Sequence, residues 1–244
     1  MKKLILAATL VVVQLLGCAQ AESDSDAKAI AAIKKELASF DVSSVAPSPI
    51  PGLYEVIANG QVVYFTGDLK YIVNGSLIDN VTKIDITQKR MDELNSKAFA
   101  ELEEGDYLAF KPEKGEPKFV LNVFTDVDCG FCRKLHQEVP KLTAKGVEVR
   151  YFLYPRAGPT SGSARKLEAI WCADDKQTAM TRAKSGQSVE SKRCANPIGS
   201  HIALANQMGL TGTPLLFTGG GTRISGYRPA DQLYAMLLSE EAEK

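Results

Sequence analysis

Apolar residues recur at helical spacing from Ala27 to Phe40 (AKAIAAIKKELASF), with lysines opposite, and predict a short amphipathic helix. The segment Val45-Ala-Pro-Ser-Pro-Ile-Pro51 is kept out of any helix by its prolines and reads as extended. Three strand-like runs follow at Tyr54 to Ala58, Val62 to Thr66 and Tyr71 to Val73, with Leu77 and Ile78 beyond. The turn signals Asn59-Gly60, Gly67-Asp68 and Asn74-Gly75 separate them. Val62-Val63-Tyr64-Phe65 is apolar at consecutive positions, a pattern that asks for cover on both faces, and edge pairing with a second chain would supply it. A meander with one helix buries little core by itself, so an oligomeric partner is a natural supplement.

Thr87 to Glu104 is charge-rich and helical in spacing, with Met91, Leu94, Ala98 and Leu102 on one side and Gly105 as a stop. It reads as a linker helix between two domains, the alternative being a solvated surface helix of one domain. From Tyr107 the order is strand, short helix, strand (Val147 to Tyr154), a long helical region (Ser161 to Met208), two strands (Leu215 to Thr218 and Thr222 to Ser225) and a helix (Ala230 to Glu241). Helices interleaved with strands, then a closing hairpin and helix, match the thioredoxin arrangement.

Composition alters this picture little. The chain balances 29 basic against 29 acidic residues, and nothing favours nucleic acid or an anionic membrane. The N-terminus is more informative. Met1-Lys2-Lys3 is a short positive region, Leu4 to Leu16 is apolar but short for a membrane span, and Ala19-Gln20-Ala21 offers small residues for cleavage. Residues 1–21 therefore read as a secretory signal peptide. Leu15-Leu16-Gly17-Cys18 also resembles a lipobox, which leaves a lipoprotein anchored through Cys18 as the alternative to soluble export.

The chemistry centres on Cys129 and Cys132, in Phe124-Thr-Asp-Val-Asp-Cys-Gly-Phe-Cys132-Arg-Lys-Leu-His136. A strand-like run precedes them and an amphipathic stretch follows, so the first cysteine falls at a helix N-terminus, where free N–H groups and the helix dipole favour a thiolate. The second lies one turn on and can attack a mixed disulfide formed at the first. Of the five cysteines, Cys18 leaves with the signal or is lipidated, and an even count of four in an exported chain implies pairing. Cys129–Cys132 is the local pair, which leaves Cys172 with Cys194; that bridge would add about 3 kcal/mol of stability. A four-thiol zinc site is the alternative, but only one Cys-x-x-Cys is present and His136 and His201 show no ligand spacing. His136 reads as a partly exposed helix residue in preference to a proton shuttle, and Trp171 as core. Asp128 would oppose a Cys129 thiolate if its carboxylate pointed inward.

These motifs resemble the DsbC/DsbG family of bacterial periplasmic disulfide isomerases. Besides the cysteine motif, the resemblance runs through Tyr154-Pro-Arg-Ala-Gly158, Ala169-Ile-Trp-Cys172-Ala, Gly212-Thr-Pro214 and Gly226-Tyr-x-Pro229. It implies an α+β N-terminal dimerisation domain (22–84), a linker helix (85–105) and an α/β thioredoxin-like catalytic domain with a helical insertion (106–244). Two such chains would form a V-shaped homodimer whose catalytic domains face each other across an apolar cleft. Cys129 and Cys132 match the catalytic pair, and Cys172 and Cys194 the structural disulfide, which would pin two helices of the insertion together. Thr213-Pro214 matches a cis-proline loop that pairs with extended substrate, and Phe131 is a further candidate for substrate contact, with packing beside the helix as the alternative. The Gly130-Phe131 dipeptide departs from the family's frequent Gly-Tyr. No cofactor and no metal are implied. The implied partners are misfolded disulfide-containing exported proteins and a membrane reductase of the DsbD type. A non-catalytic holdase chaperone and a dithiol oxidase are the competing functions.

Overall fold

A computed structural model describes residues 24–242, so the signal segment and Cys18 lie outside the described residues. Contacts divide the chain into two compact units between Thr87 and Gln88.

The N-terminal unit is α+β. Helix α1 (24–36) precedes a four-stranded antiparallel meander, β1 (Val42–Pro47), β2 (Leu53–Ala58), β3 (Gln61–Thr66) and β4 (Ile72–Val73), in that spatial order. The proline-rich segment expected to be merely extended thus begins as a paired strand, and Pro47 sits at its end on the sheet edge, where a missing N–H is tolerated. Asn59 and Gly60 both take positive φ (50° and 71°) between paired Ala58 and Gln61, the geometry of a two-residue hairpin turn. Alternate residues Tyr54 and Val56 of β2 join Phe65, Ala29 and Ile33 in a core under α1. The tight approach there leaves no room at Gly67, where an added Cβ would stand 2.9 Å from the Tyr54 ring.

The consecutive apolar run Val62 to Phe65 has a different explanation from the one expected. Strand β3 is interior, between β2 and β4. Phe65 packs in the core with α1, while the Tyr64 hydroxyl lies 2.6 Å from Thr87 Oγ1, which also accepts the Leu77 N–H. The chain's own 77–87 segment thus meets the second face of the strand.

The C-terminal unit has a five-stranded sheet in the order β5 (Leu108–Phe110), β7 (Val147–Leu153), β6 (Phe119–Thr125), β8 (Leu215–Thr218), β9 (Arg223–Ser225). Strands β6 and β7 run parallel, joined by α3 (Gly130–Ala144), and the remaining pairs are antiparallel. Period-two alternation along β7 sends Val147, Val149, Tyr151 and Leu153 into one core and Phe152 into the other. This is a thioredoxin-like α/β layer structure.

Helix α2 (Ile86–Ala100) crosses the division between the units. Its buried residues are Thr87, Asn95 and Phe99, while Ala98 and Leu102 of the anticipated stripe are partly buried against the same core as Phe99. The Phe99 ring lies tilted against Phe152 and Phe217, with centres 5.3 and 5.4 Å away, and Asn95 Nδ2 donates to the Gly221 carbonyl at 3.1 Å. Its C-terminal half is therefore fastened to the second unit.

The long helical region is three helices: α4 (Gly162–Trp171), α5 (Lys176–Lys184) and α6 (Ile198–Gln207). Ser161 and Asp175 cap α4 and α5 by accepting the Ala164 and Thr178 amides. Gly186, at φ 80°, turns the chain out of α5 into an irregular stretch. A disulfide joins Cys172 to Cys194. It ties the end of α4 to that irregular stretch, in place of a link between two helices. Helix α7 (Ala230–Ala242) completes the fold.

Candidate active site

The sheet register assembles the site. Phe124, near the end of β6, pairs with Leu215, the first residue of β8, so the residues after β6 lie beside those before β8. The first group is Asp126 to Cys132, and the second is Gly212-Thr213-Pro214, whose Thr213–Pro214 peptide is cis. The end of β7 adds Tyr154 to Arg156, held to β6 by the Tyr154 amide on the Thr125 carbonyl at 2.9 Å. The cluster thus sits beyond the C-terminal ends of the two parallel strands, where open α/β sheets place their sites.

Cys129 is the N-cap residue of α3, with extended backbone (φ −79°, ψ 122°). Its thiol donates to the Thr213 carbonyl at 3.2 Å. The two sulfurs are unbonded, and they are unequal: Cys129 retains 3% exposure and Cys132 none. Burial works against a Cys129 thiolate, but the Thr213 side chain, the Cys132 N–H and thiol, and the Arg156 charge together outweigh it, so its pKa falls below the ordinary thiol value. Cys132 moves the other way. Burial is dominant there and raises its pKa, opposed by the Lys184 charge and by the Asp126 N–H. Thr213 Oγ1 is buried with no hydrogen bond of ordinary geometry, and its side chain acts on both sulfurs. Phe131, between the cysteines, is 59% exposed at the rim, with Lys134 Nζ 5.6 Å from its ring centre.

Asp126 anchors the turn. Burial opposes its charge, but its carboxylate accepts from Ser163 Oγ (2.5 Å), the Asp128 amide (2.8 Å) and the Arg156 amide (2.9 Å), and the Arg156 guanidinium stands at 3.3 Å. These bonds hold it below the usual carboxylate range. Asp128 points to the exposed side, where Lys166 (2.8 Å) and Arg133 (3.3 Å) pair with it.

His136 corrects the expectation of partial exposure, because α5 packs over that face of α3 and buries it. Thr181 Oγ1 donates to the Gln177 carbonyl, so it must accept from His136 Nε2–H at 3.0 Å; Nδ1 then accepts the Tyr151 hydroxyl proton, also at 3.0 Å. This places the single ring proton on Nε2. Burial, followed by the Lys184 charge, lowers its pKa to about 4. His201 is equally structural: Nδ1 accepts the Leu153 amide and Nε2 donates to the Asp106 carbonyl.

Sequence reasoning missed Lys184. A lysine in the last turn before Ser-Gly reads as a solvated cation complementing the helix dipole, yet this one is 5% exposed. Only the burial of its neighbours in three dimensions could have revealed it.

A thioredoxin-like domain family matches residues 108–239, over the sheet and helices that carry the two sulfurs. Fold and dithiol together define a thiol:disulfide oxidoreductase of the thioredoxin-like class. A disulfide bond isomerase N-terminal domain family matches residues 19–88. The chain is 34% identical to the thiol:disulfide interchange protein DsbC of Escherichia coli (strain K12), over 85% of this chain and 86% of that protein. It is likewise 34% identical to DsbC of Dickeya dadantii (strain 3937), over 99% and 98%. The protein belongs to the DsbC family of thiol:disulfide interchange proteins. A disulfide interchange protein from Neisseria gonorrhoeae of solved structure is 32% identical, with a TM-score of 0.51 over 57% of this chain and 97% of that one.

Proposed function

We propose that the protein isomerises non-native disulfides of exported proteins in the periplasm, with Cys129 as the attacking thiolate and Cys132 as the resolving thiol. The observation that carries this reading is the asymmetry of the pair: Cys129 is the more exposed and more acidic sulfur, Cys132 the buried one with its pKa raised. The Cys129 thiolate attacks a substrate disulfide, forming a bond to one sulfur and expelling the other as thiolate. A second substrate thiolate can then displace Cys129, which completes an isomerisation with the enzyme still reduced. Alternatively Cys132 displaces the substrate, which leaves reduced with the Cys129–Cys132 pair oxidised. Turnover then requires an electron donor, and family membership supports a membrane reductase of the DsbD type.

Thr213 and Pro214, beside Cys129, would present backbone to an extended substrate chain, and Phe131 would add apolar contact at the rim. The Cys172–Cys194 bridge serves as a structural disulfide. Strand β4 ends the N-terminal sheet with Tyr71, Ile72 and Val73 all exposed, and an unpaired apolar edge of this kind supports homodimerisation through that domain. Chaperone-like binding would follow from an apolar cleft in such a dimer. No helix among the described residues is long and apolar enough to cross a membrane; soluble export after cleavage at Ala21 is preferred to lipidation at Cys18.

Reactivation of scrambled ribonuclease tests the reading. The wild-type protein should restore activity and Cys129→Ser should lose it; undiminished activity in the variant would overturn the proposal. A holdase would instead suppress aggregation with both cysteines replaced while contributing nothing to reactivation. An oxidase would be found with its dithiol mostly oxidised in acid-quenched cells.

A further inference from the structure

Lys184 is a buried cation with no carboxylate of its own. It forms no ion pair among the described residues, and its amine donates to Thr125 Oγ1 at 2.6 Å and to the Asp126 carbonyl at 2.9 Å. Burying an unpaired ammonium costs several kcal/mol, so the lysine is expensive to keep unless its charge is used. The Asp126 carboxylate that could have paired with it is occupied by Ser163 and Arg156.

What surrounds the amine indicates that use. Lys184 is fixed to the peptide segment Thr125–Asp126, whose backbone, like the Lys184 charge, works to lower the Cys132 pKa against burial. From α3 the amine feels Cys132, Cys129 and Arg133, and it acts in turn on His136; from the end of β6 it feels Asp126. From β7 it faces the Tyr151 ring, 5.8 Å from its centre. His136 is fixed as the neutral ring, Tyr151 is held far above its ordinary pKa by burial, and Arg133 is cationic and turned to Asp128. The Cys132 and Cys129 thiolates are therefore the anions in this pocket that come and go with the reaction, and Cys132 acts on the lysine the more strongly. Burial lowers the lysine's own pKa to about 8, and the thiolates and Asp126 pull the other way. Two N–H groups of the amine are committed to Thr125 and Asp126, so a third position on nitrogen remains to hold a lone pair or a proton.

We infer that Lys184 is the buried counter-charge that lets Cys132 ionise: its ammonium stabilises the Cys132 thiolate, and holds its own proton more tightly while that anion is present than after Cys132 has entered the disulfide. The inference rests on the reading of Cys132 as the resolving thiol. In balanced form, the Cys132 thiol gives its proton to solvent and becomes a thiolate stabilised by the Lys184 ammonium. The thiolate forms a bond to Cys129, the bond between Cys129 and the substrate sulfur breaks, and the substrate leaves as a thiolate with the electron pair. With the anion gone, the buried ammonium holds its proton less tightly. The enzyme dithiol has been oxidised by two electrons and the substrate disulfide reduced. Lys184 is a positioning residue in this scheme, since it touches neither substrate nor reacting sulfur.

The test follows resolution of a preformed Cys129–glutathione mixed disulfide by stopped flow across pH 5 to 10, in the wild type, Lys184→Met and Cys132→Ser. Methionine keeps the length and volume of the apolar stem without the amine. The inference predicts resolution about tenfold slower at pH 7 in Lys184→Met, equivalent to about one pKa unit at Cys132, with the pH profile displaced upward. Unchanged rate and profile in a folded Lys184→Met protein would overturn it. Equal release from the wild type and Cys132→Ser would instead defeat the assignment of Cys132, which keeps the two failures distinct. Titration of the Lys184 amine by NMR in ¹⁵N-lysine-labelled wild type needs no variant to fold. Its midpoint should be higher in the reduced than in the oxidised protein, and identical midpoints would contradict the inference.

Discussion

Cys172 and Cys194 are bonded across 22 residues of chain, from the end of α4 to an irregular stretch before α6, whereas Cys129 and Cys132 stand three residues apart with free sulfurs. Around the first pair there is little chemistry: Cys172 continues the α4 hydrogen bonding as its C-cap, and Cys194 lies in an exposed segment. Around the second pair there is a helix N-terminus, a carbonyl accepting the first thiol, a threonine hydroxyl with no other partner, and buried Lys184 and His136. The difference teaches that the fold treats a disulfide in two ways. On the proposed reading the bonded pair constrains the unfolded chain, and the free pair is the one whose two cysteines are given different environments.

Exchanging the losses between the pairs is the strongest way to break that comparison. Cys129→Ser should reduce ribonuclease reactivation at least about a hundredfold, as expected for loss of a nucleophile, with little change in urea unfolding. Replacing Cys172 and Cys194 together by alanine should do the reverse. Closing a loop of this length is worth about 3 kcal/mol, so the midpoint of unfolding should fall while exchange per folded molecule persists. Full exchange in the first variant, or lost exchange without lost stability in the second, would reverse the assigned roles.

Two buried histidines also set an acid limit. His136 and His201 are held near pKa 4 in the folded protein against 6.5 for the free side chain, with burial the main cause. Both are neutral in folded and unfolded chains above about pH 6.5, so neither contributes to pH dependence there. As pH falls towards 4 only the unfolded chain takes up the protons, and stability is lost by up to about 3 kcal/mol for each ring. Urea unfolding at pH 7 and pH 5 should show a clear loss, and equal stability at the two values would count against neutral buried rings.

The smallest effect is expected from Asp128→Asn. This carboxylate is next to Cys129 in sequence but is turned to Lys166 and Arg133 on the exposed side, where screening leaves little energy. Alkylation of Cys129 at pH 7 should change by less than about twofold; a tenfold rise would place the carboxylate against the thiolate after all.

The elements that were legible from sequence are those whose signals are local. Helical and strand periodicity, the Asn59-Gly60 turn and the Cys-x-x-Cys at the start of an amphipathic stretch each depend on a few adjacent residues. What was not legible depends on packing between distant parts of the chain. Nothing near His136 in sequence announces that α5 will cover it. Phe99 and Asn95 carry no local signal on α2, because their partners, Phe152, Phe217 and Gly221, lie far along the chain. Lys184 has the sequence context of an ordinary helix-terminal cation. The strand Val62 to Phe65 itself gives no sign of the contact with Thr87, so a second chain stands as one source of its cover.

Site-resolved alkylation of the freshly reduced protein across pH 5 to 10, read by mass spectrometry, tests the asymmetry of the dithiol most directly. Cys129 should react first, with a midpoint below the ordinary thiol value, while Cys132 remains protected in the folded protein. Equal labelling of the two cysteines, or a Cys129 midpoint at or above the ordinary value, would contradict the division of roles between them.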